Sequence, residues 1–425
     1  MKLNYKISVA ALALLIASGG AFAQVKKKPA VSPKSKPAAG AEQKHIVNTN
    51  TAVLPVDPEV IIGKLPNGLT YYVRKNTEPK NRAELYLVNK VGSVLEADDQ
   101  QGLAHFTEHM AFNGTRDFPK NDMVSFLQKS GVKFGADLNA YTSFDETVYQ
   151  LPLPTDSVAV FEKGFNILAN WAAYQTFDPK EIDSERGVVL GEKLANGKNA
   201  QERLSNQTYP VLLNNSRYAL RIPIGKEDIL KTFKPETIKS FYHDWYRPDL
   251  QAIIAVGDFD PERVVELIKR NFSSLQNPAN EKPRTIYSVP PTPGTVVKIA
   301  TDKEFPYTLA EIIVKHPQTT IKTTADFMQS IRIQLFNQML NDRISELSQK
   351  PTPPFVYGQS SYGAFIGRQD AFTTIAVAKP GGLETAIKAA VAETERVRRF
   401  GFTLTELERA KQSALLGIDN AYRER

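Results

Sequence analysis

FDPKEIDSERGVVLGE, residues 177–192, and FTLTELERAKQSALLG, residues 402–417, can be laid side by side without a gap. Each follows a long amphipathic helical stretch, residues 156–174 in the first case and 384–400 in the second, and each reads as a helix itself. Pro179 stands at the first turn of the earlier one, where a missing N–H costs nothing. The signals ahead of the two stretches run in the same order. Thr70–Lys75 (TYYVRK) and residues 83–91 read as strands, 102–113 and 120–130 as helices, and 134–153 as two strands joined by a turn at 143–145. In the second half, 309–315 reads as a strand, 323–348 as a long helix and 355–379 as a strand pair. The repeat therefore predicts two copies of one unit.

The expected fold is α+β: two tandem homologous sandwich domains, each a mixed or antiparallel sheet flanked by helices. They are expected over residues 51–275 and 294–425, joined by a Pro- and Asn-dense linker at 276–293. Between the first copy and the linker, a loop-rich stretch precedes a helix at Pro235–Trp245, a strand at 251–256 and a helix at 261–271. Nothing in the second half corresponds to residues 235–271, and the helix 405–425 carries no C-cap. The second domain is thus expected to be incomplete.

The amino terminus reads as an export signal. Lys2 and Lys6 precede a short apolar run, ISVAALALLI at 7–16, and Ala21-Phe22-Ala23 forms a cleavage site before Gln24. The run is too short for a bilayer span, and no later run approaches that length, so a soluble protein in the periplasm or outside the cell, without a transmembrane anchor, is expected. Residues 24–50, rich in Lys, Pro and Ala, read as a disordered spacer. The net charge of +7 resides in these two segments, which leaves none on residues 50–425. Nucleic-acid binding has no electrostatic footprint there. With no cysteine in the chain, stability must come from a sizeable core, and any metal must be held by His, Asp or Glu.

Residues 102–114, GLAHFTEHMAFNG, bring such groups together: His105, Glu108 and His109 form His-x-x-Glu-His. On a helix the two histidines lie one turn apart, about 40° around the axis, and can reach one metal ion. Glu108 lies about 60° from His105, near a metal-held water but outside a ligand position. This order reverses the commoner metalloprotease motif and points to a zinc hydrolase of the inverted type. A catalytic zinc needs a third protein ligand, for which a carboxylate is suitable. Glu185 and Glu192 lie on nearly the same face of helix 178–196, about 10 Å apart along the axis. Only one can bind; the other would orient a histidine. Glu192 is the better candidate. Val188 and Val189 between them suggest a partly buried face. Of the five histidines in the chain, the remaining His45, His243 and His316 read as solvated or structural.

Together with Glu185-x6-Glu192, the Asn139-Ala140 pair and Tyr246-Arg-Pro-Asp249, the motif resembles the pitrilysin family of zinc peptidases, which includes insulin-degrading enzyme and the mitochondrial processing peptidase β subunit. The likeness covers nearly everything from residue 55 to 425. It implies one Zn2+ per chain held by His105, His109 and Glu192, with Glu108 as general base and Glu185 as a supporting acid. It places Asn139 and Ala140 on a strand that pairs with the substrate backbone. It further implies peptide substrates and a chamber closed by a second half or partner subunit, which carries an Arg/Tyr pair absent from this sequence. A zinc-dependent endopeptidase acting on unfolded peptides or small proteins is the resulting expectation. The competing expectation, a non-catalytic or partner-dependent subunit of a peptidase complex, would be marked by loss of the motif, and every element of it is intact.

Overall fold

A computed structural model describes residues 52–132 and 139–423. The expected signal and spacer, and residues 134–138 of the expected strand pair, lie outside the described residues. The described residues divide into two units, one comprising residues 55–306 and 419–423 and the other residues 52–54 and 307–418.

In the first unit, strands β1 (Val60–Lys64), β2 (Thr70–Lys75) and β3 (Arg82–Asn89) precede helices α1 (Leu103–Met110) and α2 (Asp122–Lys129). Strands β4 (Asn139–Thr142) and β5 (Thr147–Pro154) come next. They lead into helices α3 (Val158–Ala173), α4 (Pro179–Gly197), α5 (Ala200–Leu212), α6 (Arg217–Leu220), α7 (Glu227–Thr232) and α8 (Pro235–Trp245). Strand β6 (Gln251–Gly257) and helix α9 (Pro261–Phe272) complete the unit. The sheet runs β1-β2-β6-β3-β5-β4. It is mixed: β2 and β6 are parallel, and the other neighbours are antiparallel.

Side-chain alternation sets the register. Ala83, Leu85, Leu87 and Asn89 of β3 turn inward, as do Ile253 and Ala255 of β6, because successive residues of a strand face opposite sides. Helix α3 packs on β3, β5 and α9. Trp171 at its far end is fully buried and stacks on Tyr149 at 5.2 Å between ring centroids.

The second unit is smaller. Strands β7 (Thr308–Pro317), β8 (Tyr357–Phe365) and β9 (Gln369–Ala378) form an antiparallel sheet in the order β7-β9-β8. Helices α10 (Thr324–Ser348) and α11 (Leu383–Phe400) pack on it, and α12 (Leu404–Arg423) follows. Leu340, Ile344, Phe355, Ala376, Ala386 and Ala390 form its core. No helix among the described residues is long and apolar enough to cross a membrane.

Two parts differ from the sequence reading. The stretch after α4 is helical rather than loop-rich. Its polar composition and Pro210 hide α5, yet Pro210 sits in the last turn, where it removes a single helical hydrogen bond. Strand β1 is also present although Ile61 and Ile62 are exposed, because it pairs with β2 at the sheet's edge. Residues 276–306 carry no regular element, and their side chains tie to the first unit. Asn277 donates to Asn67 O at 2.8 Å, Arg284 to Lys90 O at 2.6 Å, and Asp302 accepts two bonds from Arg203.

Candidate metal centre

Helix α1 presents the histidines. Leu103, Ala104, Phe106, Thr107 and Met110 are buried, so the helix is fixed on its apolar side and only one face is left for chemistry. Its N-cap residue, Gly102, has a φ of 102° and lies against Gly225. A Cβ on Gly225 would come within 2.2 Å of the Gly102 Cα, so both positions need glycine. Glycine has no side chain with which to cap a helix. The Oε1 of Glu96 takes over that task, accepting from the N–H groups of Gly102 (3.0 Å) and Ala104 (2.9 Å). Past the other end, the Trp171 indole donates to Ala111 O at 3.1 Å.

Helix α4 brings the carboxylates. Asp178 caps it by accepting from the Lys180 N–H at 2.8 Å. Arg186 donates to the carbonyls of Leu230 and Phe233 and stacks on the Phe233 ring, while Lys193 donates to Gly225 O. The helix is thereby locked against α7 and the segment before it. Val189 is buried as expected, but Val188 is 54% exposed, since the turn of 100° per residue carries it to the outer face.

The two helices bring together what the sequence placed 83 to 87 residues apart. His105 Nε2 and His109 Nε2 are 3.3 Å from one another, and Glu192 Oε2 is 3.7 Å from the first and 3.4 Å from the second. His105, His109 and Glu192 could hold a metal ion; among the described residues no other such group occurs. Glu185 stands behind His109, its Oε1 2.7 Å from Nδ1, and its Oε2 accepts from Asn113 Nδ2 at 2.7 Å. That contact places a proton on Nδ1 and aims Nε2 at the space shared with His105 and Glu192. His105 lacks an equivalent; its Nδ1 is buried with no partner among the described residues.

The electrostatics fit a cation. Burial, then His109, holds His105 down to about 4. Burial also pulls His109 down, but hydrogen bonds to Glu185 and Glu192 outweigh it and raise the ring to about 9. The hydrogen bond from His109 keeps Glu192 below its ordinary value. Two imidazole nitrogens and a carboxylate oxygen meeting at one point repel unless a positive charge lies between them, and three N/O donors in an open arrangement suit a catalytic zinc. Glu108 is buried beside them and accepts from Thr142 Oγ1 at 2.6 Å. Burial raises its carboxyl above the ordinary range, Glu192 adds to the effect, and Thr142 and His109 oppose it.

Asn139 and Ala140 begin β4, at one end of the sheet order; Asn139 is exposed and Ala140 half-buried. Among the remaining histidines, His243 is exposed beside Asp244 and His316 lies against Tyr362; His45 is outside the described residues. Sequence reasoning missed Glu96, Asn113 and Thr142. Asn113 alone left a trace, lying one turn beyond His109.

Residues 71–222 match the family described as Insulinase (Peptidase family M16), and residues 232–414 match the Peptidase M16 inactive domain. The Probable zinc protease PqqL of Haemophilus influenzae is 38% identical over 320 residues, covering 74% of this chain and 34% of that protein. Its namesake in Escherichia coli K12 is 34% identical over 379 residues, covering 87% of this chain and 40% of that protein. The chain therefore spans 34% to 40% of the length of these relatives. The crystal structure of the first half of the periplasmic protease PqqL from Escherichia coli matches with a TM-score of 0.78 at 32% identity, over 87% of this chain and 79% of that one. On this likeness, and with the His-x-x-Glu-His motif in place, the chain belongs to the insulinase/pitrilysin family of peptidases, M16.

Proposed function

We propose that the chain carries the zinc centre of an exported endopeptidase that hydrolyses peptide bonds in unfolded peptides or small proteins. The observation that carries this reading is the convergence of His105, His109 and Glu192, with ligand atoms all within 4.8 Å of one another, next to the buried Glu108 carboxylate. Zinc held there supplies a Lewis acid that polarises the scissile carbonyl and lowers the pKa of water. Glu108 takes the proton of the attacking water and returns it to the leaving amine, a task suited by a carboxyl raised above its ordinary range. Glu185 keeps His109 in the tautomer that offers Nε2 to the metal.

Asn139 and Ala140, on the edge strand β4, pair with the backbone of an extended substrate, which grips a peptide with little demand on its side chains. A second half or partner subunit closes the chamber, in keeping with the greater length of the relatives. The likeness to a periplasmic protease and the apolar run at 7–16 support export to the periplasm.

A quenched-peptide assay with metal analysis tests the proposal. Chelation should abolish turnover, zinc should restore it, and the His105→Ala, His109→Ala double variant should hold no zinc. Undiminished turnover in metal-free protein, or full zinc in the double variant, would overturn the reading.

A further inference from the structure

Thr142 ends β4, and its hydroxyl donates to Glu108 Oε2 at 2.6 Å. A threonine hydroxyl has one proton, so this bond commits it to the carboxylate. The opposite residue in the hairpin, Thr147, gives its own proton to Val91 O at 2.8 Å, with its Oγ1 3.5 Å from that of Thr142. Glu108 Oε1 has no partner among the described residues. One oxygen of the carboxylate is thus held and the other left for chemistry.

The hydroxyl can aim the carboxylate only if its own backbone is fixed, and the turn after Thr142 is clamped on several sides. Ser143 donates to Glu146 O at 2.8 Å across the hairpin. Ser93 and Val94 donate to the carbonyls of Ser143 and Phe144 at 3.1 and 3.0 Å. Gly92 lies so close that a Cβ there would come within 2.4 Å of Ser143 O. Tyr218 Oη and Arg284 Nη2 donate to Asp145, the former to its side chain at 2.8 Å and the latter to its carbonyl at 3.2 Å.

We infer that Thr142 is a positioning residue for Glu108: its hydroxyl, fixed on the clamped end of the edge strand, holds one carboxylate oxygen so that the other faces the reacting water. The inference rests on the proposed role of Glu108 as base. It also links two functions on one strand, since Asn139 and Ala140 lie three and two residues before Thr142. A peptide paired with β4 is then in register with the group that transfers its proton.

Thr142→Val removes the hydroxyl and keeps the shape; Thr142→Ser keeps the hydroxyl. In zinc-loaded protein, Thr142→Val should lower kcat by roughly 10- to 100-fold, the loss expected of a misplaced catalytic group. KM and zinc content should stay unchanged, and Thr142→Ser should recover most of the loss. A crystal structure of Thr142→Val should show the Glu108 carboxylate in more than one orientation. The inference is overturned if Thr142→Val keeps kcat within twofold, if Thr142→Ser is as impaired as Thr142→Val, or if Glu108 keeps its single orientation without the hydroxyl. Glu108→Gln separates the two levels. Should it turn over normally, the role of Glu108 itself fails; should it be inactive while Thr142→Val is normal, only the positioning role fails.

Discussion

Glu185 and Glu192 share a helix and a residue type but face different nitrogens of His109. Seven residues amount to about 10 Å along the axis, so one ion cannot meet both carboxylates. The sequence carried that constraint and favoured Glu192, although helical spacing by itself says nothing of which end of α4 lies over the histidines. Glu192 Oε2 lies 3.4 Å from His109 Nε2, and Glu185 Oε1 lies 2.7 Å from the Nδ1 of the same ring. On the proposed reading, Glu192→Gln replaces a charged ligand by a neutral one and should weaken zinc binding more than any change behind the histidines. Glu185→Gln should weaken it by about 10- to 100-fold, the usual effect of removing a partner that orients a ligand. Competition with a calibrated chelator measures both. A larger loss for Glu185→Gln than for Glu192→Gln would reverse the assignment.

At the scale of elements, strands and long helices were legible because alternation and the 3.6-residue period survive in the sequence. Strand Thr70–Lys75 and helix Pro235–Trp245 stand where those patterns put them. The cap of α1 was not legible. A capping carboxylate is expected at the residue before the helix, whereas Glu96 reaches forward from six residues before Gly102, past the short turn at Asp98–Gln100. Glu96→Ala should expose both N–H groups to an apolar environment and cost about 1–2 kcal/mol, seen as a lower Tm. Unchanged melting would remove Glu96 from the account of α1.

Glu96 also has a pH signature. Burial raises its carboxyl from 4.5 to about 8, against the opposing pull of its two backbone hydrogen bonds and of Arg221 and Arg217. The folded state thus holds this proton more tightly than the unfolded chain. Its contribution is complete below about pH 4.5 and is lost as pH rises toward and through 8. Glu96→Gln, which can still accept both N–H bonds, should flatten the fall of Tm over that window. A fall as steep as that of the wild type would show that another group causes it.

For the whole molecule, the repeat between residues 177–192 and 402–417 conveyed more than any single motif, since it announced a second unit without its chemistry. Gly417 aligns with Glu192 and Ala410 with Glu185; Ala410 is buried and uncharged. No metal-holding group occurs in that unit among the described residues. Metal analysis should therefore return one zinc per chain, and two would require a site in the second unit. If a second half closes the chamber, adding it in trans should raise peptide turnover without changing zinc content, because exclusion of water and the opposing wall act only on a closed site. Equal turnover with and without it would make the chain self-sufficient. The central claim is that His105, His109 and Glu192 bind zinc while Glu108 moves the proton, and one variant separates binding from chemistry. Glu108→Gln, assayed for zinc and for peptide turnover in the same preparation, should keep its full zinc and lose at least the ~10²–10⁴-fold that a general base contributes. Turnover near the wild-type rate with zinc intact would contradict the account.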